Sequence, residues 1–187
     1  FWKLVSPSDY LKDYKGAIAD YDKAIEINPS SGNTHFNRGR ANYALNKKQE
    51  SLLDYNMAIS NDISNAKAYY YRGGVKFELK DYKGANTDFG MAIKNDPENA
   101  NVYNDRGSAK KMSGDDKGAM ADYEKAVQLD PRLAIAYNNL GSIKKKSGDY
   151  SGAVLEYSLA IKVKPDYYLA YNNRGSAKFE LGDYKGA

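Results

Sequence analysis

Apolar and small residues along this chain keep the spacing of helix faces. Within residues 134–167, Ala136, Leu140, Ile143 and Ser147 follow at steps of four, three and four, and Tyr137, Gly141 and Lys144 form a second row beside them. Both rows fall on one broad side of a helix, predicted over residues 135–147. Ser147-Gly148 is a stop signal and Asp149 an N-cap for a second helix. That helix is predicted from Tyr150 to about Lys162, with Ala153, Tyr157 and Ala160 on one face, and Pro165 breaks the chain after it.

The same pattern recurs at a fixed step. Gly39, Gly73, Gly107, Gly141 and Gly175 are each 34 residues apart, as are Ala24, Ala58, Ala92, Ala126 and Ala160. The aromatics Tyr21, Tyr55, Phe89, Tyr123 and Tyr157 keep this step, and so do Pro97, Pro131 and Pro165. Several residue types held in phase over successive periods mark a repeat architecture, in which each helix pair buries its apolar face against its neighbours.

Tyr137, Leu140-Gly141, Ala153, Tyr157 and Pro165 carry a family resemblance: their order and spacing resemble the tetratricopeptide repeat. The resemblance implies an all-α fold, a right-handed α-solenoid of antiparallel helix pairs. One array is expected over 1–187: a partial repeat at 1–31, full repeats at 32–65, 66–99, 100–133 and 134–167, and a truncated one at 168–187. Departures are visible. Lys76, Lys110, Lys144 and Lys178, or Asn42, stand where the family has a mid-helix Tyr. Arg38, Arg72, Arg106 and Arg174 stand where Leu precedes Gly, and Ile63 replaces a Pro. Pro7 falls within the expected first helix of the first repeat, so residues 1–9 are expected to be irregular.

The Arg substitutions come with acids. Arg38/Asp54, Arg72/Asp88 and Arg106/Asp122 each pair a first-helix Arg with an Asp sixteen residues later, whereas 134–167 has Leu140 with Glu156. An Arg row could bind anions. The favoured expectation is an ion pair bridging two helices, because the guanidinium fork suits partly buried carboxylates.

Once the packing rows are assigned, a stripe of each first helix remains, and the resemblance places it on the concave side where partner peptides lie. Candidate groove residues there are Phe36, Arg40, Tyr43, Tyr70, Phe77, Asn104, Lys111, Asn138, Lys145 and Asn172, with Asn139 and Asn173 beside them. An Asn ladder can hold an extended backbone through its amide donor and acceptor, although Asn also caps, links or simply faces water. Aromatics beside Arg40 have the composition of a binding hot spot. A family subclass clamps a C-terminal carboxylate with Lys, Asn and Arg. The matching slots here hold Phe36, Arg40, Tyr71, Asn101 and Asp105, so that clamp is not expected.

Composition narrows the chemistry. The 187 residues include 18 Tyr, 5 Phe, one Trp, one His and no Cys, with a net charge of +4. Thiolate and disulfide chemistry are excluded, a His-based metal site lacks ligands, and His35 sits where other repeats have Tyr. No cofactor, enzyme activity or small-molecule substrate is expected, and no apolar run approaches a membrane span. The basic excess is dispersed; RNA binding through Lys111, Lys144, Lys145 and Lys146 ranks last, because such runs are mostly solvated helix faces. The expected function is a protein-interaction scaffold that binds a protein or peptide ligand in its groove. The alternative is a module that self-assembles head to tail, motivated by the near-identical segments at 12–17 and 182–187 and by the end of the chain in mid-pattern, as in a piece of a longer protein.

Overall fold

A computed structural model describes residues 13–183, and these form ten helices with no strand among them. They are α1 (Tyr14–Ile27), α2 (Gly32–Ala44), α3 (Lys48–Asn61), α4 (Ala66–Glu78) and α5 (Tyr82–Asn95), then α6 (Ala100–Met112), α7 (Asp116–Leu129), α8 (Ala134–Lys146), α9 (Tyr150–Val163) and α10 (Tyr168–Glu180). Observed bounds match the expected helices of 134–167 within one residue at each end. Residues 1–9, expected to be irregular, lie outside the described residues, as do residue 12 of the segment at 12–17 and residues 184–187 of the segment at 182–187.

Local chemistry sets the helix ends. Asp13, Asp81, Asp115 and Asp149 accept hydrogen bonds from the amides of Gly16, Gly84, Gly118 and Gly152 at 2.8–2.9 Å, satisfying donors that a helix start leaves unpaired. Lys47 begins α3 without a side-chain cap. The tight turn inside each pair needs a left-handed residue: Gly114 and Gly148 at φ +90° and +85°, but Asn46 and Lys80 at φ +60° and +63°.

The chain divides into two compact units, residues 1–95 and 96–187. In the first, α2 packs on α3 and α4 on α5, with α1 against α2 and α3 against α4. Its core is built around Tyr55 and Phe89, wrapped by Ala58, Ala68, Val75, Ala85 and Ala92. In the second, α6 packs on α7 and α8 on α9, while α7 meets α8 and α9 meets α10. Tyr123 and Ala119 of α7 lie against Leu140 and Ile143 of α8, and Ala153 and Tyr157 of α9 against Ala177 of α10. The recurrent Gly is explained by its neighbour. A Cβ on Gly39, Gly73, Gly107 or Gly141 would come within 2.7–2.9 Å of the ring of Tyr55, Phe89, Tyr123 or Tyr157, so only Gly lets the two helices of a pair close on that ring.

Candidate functional site

Each pair of helices is locked by one buried carboxylate on its second helix. Asp88 receives Arg72 Nε at 2.9 Å and Arg72 Nη2 at 2.6 Å, and Lys76 Nζ lies 2.8 Å away. Asp122 receives Arg106 in the same two-pronged way and Lys110 at 2.9 Å. Asp54 is held by Arg38 and by the amide of Asn42 at 2.9 Å. Arg and Lys four residues apart share one helix face, so both reach the same acid. Where Leu140 replaces the Arg, the longer Glu156 meets Lys144 alone at 2.5 Å. Lys76, Lys110 and Lys144, which depart from the family pattern, are thus explained by the carboxylate, a coupling that the twelve-residue Lys-to-acid spacing carries in the sequence.

Two of these guanidiniums have a further partner. Arg38 also donates to Asp22, and Arg72 to Asn56, each on the second helix of the preceding pair. The hydrogen bonds to Asp54 and Asp122 hold Arg38 and Arg106 above the usual guanidinium range. His35 is buried, with Nε2 2.8 Å from the Pro29 carbonyl and Nδ1 3.6 Å from Asp54.

The open stripe differs from expectation at its Asn positions. Asn104 and Asn138 are only 4% and 7% exposed, and their amide oxygens accept hydrogen bonds from Asn139 and Asn173 of the next first helix, each at 2.9 Å. The ladder therefore pairs with itself between adjacent repeats, because position five of one first helix points at position six of the next. Asn172 is exposed and Asn139 and Asn173 half-buried. The corresponding contact in the first unit is aromatic: Phe36 meets Tyr71 edge-on, with ring centroids 5.3 Å apart.

The other candidate groove residues are partly built into the fold. Tyr70 packs on Tyr71 and Phe89, and Phe77 on Tyr82. Tyr43 donates to Glu78, which also pairs with Lys48 at 3.0 Å; burial and the Glu78 carboxylate together push the Tyr43 hydroxyl well above its usual range. Lys145 donates to Ser176 at 2.5 Å, and Lys146 pairs with Asp116 at 2.6 Å. Lys111 is half-buried, and its ammonium is pulled down by burial and by Lys146. Arg40 is exposed, and its guanidinium lies 5.9 Å from the Phe36 ring and 5.6 Å from the Tyr71 ring.

One polar atom was not anticipated. The Tyr123 and Tyr157 hydroxyls meet Ser108 and Ser142 at 3.2 and 3.4 Å. The residue in that register beneath Tyr55 is Arg40, and the Tyr55 hydroxyl is buried with no hydrogen-bond partner. Burial pushes this hydroxyl far above its usual range, keeping it protonated. Comparing the residue fifteen before each aromatic (Arg40, Gly74, Ser108, Ser142) would have exposed the mismatch in the sequence.

Among the described residues no helix is long and apolar enough to cross a membrane, and no group of His, Asp and Glu could hold a metal ion.

A family model described as TPR repeat matches residues 10–46, 111–148 and 141–182. No curated protein sequence matches the chain. Its fold is similar to that of MamA, at a TM-score of 0.80 and 22% identity over 88% of this chain and 97% of that one. It is also similar to YrrB, described as a TPR protein with an unusual peptide-binding site, at 0.76 and 23% over 89% and 86% of the two chains. The first TPR of Spaghetti (RPAP3), solved bound to the HSP90 peptide SRMEEVD, matches at 0.61 and 21% over 63% of this chain and 93% of that one.

Proposed function

Because the chain belongs to the tetratricopeptide-repeat family of non-catalytic protein-interaction scaffolds, we propose that it holds an extended partner segment along the exposed stripe of its first helices, within the single array of repeats bounded at 32–65, 66–99, 100–133 and 134–167. The observation that carries this reading is the division of labour within each repeat. The buried rows and the Arg–Lys–carboxylate locks hold the helix pair, which leaves Arg40, Lys111, Asn139, Lys145, Asn172 and Asn173 outside the core packing. The peptide-binding site of YrrB and the HSP90 peptide held by the first TPR of Spaghetti, both similarly folded, support the same reading.

Asn139 and Asn173 donate one amide hydrogen to the neighbouring repeat and keep their carbonyl oxygen for a ligand N–H, so the self-paired ladder presents aligned acceptors to a backbone. Panning a random-peptide library on the chain, followed by hydrogen exchange of the bound complex, tests the reading. Protection should concentrate on α2, α4, α6, α8 and α10. Failure to select any peptide, or a footprint on the second helices, would reject it.

Head-to-tail association is the second reading, favoured by the exposed Tyr168 and Phe179 of α10 and Leu181 just after it. Sedimentation across a concentration series should then show mass rising without a fixed stoichiometry, and a constant monomer mass would reject it.

A further inference from the structure

The first unit contains a cavity of about 380 Å³ whose lining runs from α1 through α2 to α4, with Tyr14, Tyr21, Asn37, Arg40, Tyr43 and Tyr71 among its walls. Two groups, one in its lining and one beneath it, have no internal explanation. Arg40 is the one cation in the lining, and no carboxylate among the described residues pairs with it; its only neighbours of note are the Phe36 and Tyr71 rings. Every other first-helix Arg of this unit is locked onto an acid. Beneath it, the fully buried Tyr55 hydroxyl lacks a partner, and its register directs it at position 40, as Tyr123 and Tyr157 are directed at Ser108 and Ser142. The Arg40 guanidinium, the one of the two groups that lines the cavity, is therefore the donor open to an external acceptor.

Resting on the groove reading above, we propose that this cavity receives one acidic side chain, Asp or Glu, of an extended partner segment. The carboxylate accepts from the Arg40 fork. Flanking apolar side chains of the segment lie on Tyr14 and Tyr21 at one side and on Tyr43 and Tyr71 at the other. A single cation balances a single charge, and the Asp13 carboxylate in the lining disfavours a second. The aromatic walls lower the local dielectric and strengthen the charge-assisted bonds.

The test uses the full 187-residue chain, labelled with nitrogen-15, and three tripeptide probes followed through the backbone amide signal of Ala41, which lines the cavity and is present in parent and variants alike. These are acetyl-Leu-Glu-Leu-amide, its Gln analogue, and the Gln analogue with a free terminal carboxylate. The Glu amide should saturate the signal and bind at least about fivefold tighter than either Gln probe. Arg40→Gln should reduce it to the level of the Gln amide, and Tyr55→Phe, outside the lining, should leave both probes unchanged. Equal binding of Glu and Gln amides, absence of binding, or Glu binding that survives Arg40→Gln would overturn the proposal. Tighter binding of the free-carboxylate probe would overturn it in favour of a chain terminus. Library-selected peptides that protect the first helices but ignore Arg40→Gln would remove this site and leave the scaffold reading intact.

Discussion

At the scale of single residues, the repeat is its own control, since one position can be compared in four settings. Tyr123 and Tyr157 have serine partners for their hydroxyls, Phe89 has no hydroxyl and has Gly74 in that register, and Tyr55 has a hydroxyl without a partner. Removing a made hydrogen bond costs roughly 0.5–1.5 kcal/mol, whereas removing an unsatisfied buried hydroxyl relieves a desolvation penalty. Tyr123→Phe should therefore lower stability by about 1 kcal/mol, and Tyr55→Phe should leave it unchanged or raise it; urea unfolding of both variants checks this. The turn residues offer a second comparison. Lys80 holds φ +63° where later repeats use Gly114 and Gly148. A side chain in the left-handed region costs about 1 kcal/mol relative to Gly, so Lys80→Gly should stabilise the chain by about that amount, seen as a higher urea midpoint at unchanged slope.

At the scale of the helix pair, the dominant polar interaction is the buried carboxylate. The Asp88 side chain is 2% exposed and carries contacts from both Arg72 and Lys76. Asp88→Asn would strand two cations at a helix interface, and breaking such a lock costs on the order of 3–5 kcal/mol. Lys76→Met removes one of two counter-charges, leaves the Arg fork in place and should cost about 1 kcal/mol. Thermal unfolding followed by circular dichroism should rank the two variants in that order, and equal effects would mean that Arg72 does not act as a bidentate partner. This level was also the most legible in the sequence. The 34-residue phase of Gly, Ala and aromatic positions gave the helices, because each Gly exists to admit one ring and both residues recur together. The role of Lys76, Lys110 and Lys144 was not read from the chain. Their sharing of the Arg's carboxylate depends on side-chain reach across two helices, which periodicity on one helix does not report. The Asn stripe meets a related limit. Spacing assigns a residue to a face, but Asn104 and Asn138 lie at the edge of that face, where the next first helix covers them.

At the scale of the whole chain, stability in a repeat protein is a sum of local terms, each pair contributing its own energy and its contact with the next. The chain resolves into two compact units that meet in sequence at Asn95 and Asp96. The strongest locks are internal to one or the other: Asp54 and Asp88 belong to the first unit, Asp122 and Glu156 to the second. A lesion at one lock should therefore be felt first by its own unit. In Asp122→Asn, amide exchange should speed up across α6 and α7 and spread into α8 through the cluster of Ala119, Tyr123, Leu140 and Ile143. The α2–α3 pair, with its own Asp54 lock, should keep protection within about threefold of the parent chain. Native-state hydrogen exchange resolved by mass spectrometry at the level of single helices reads both responses in one experiment. If protection falls equally in α2–α3 and α6–α7, the chain unfolds as one cooperative body and the additive picture of its stability does not hold.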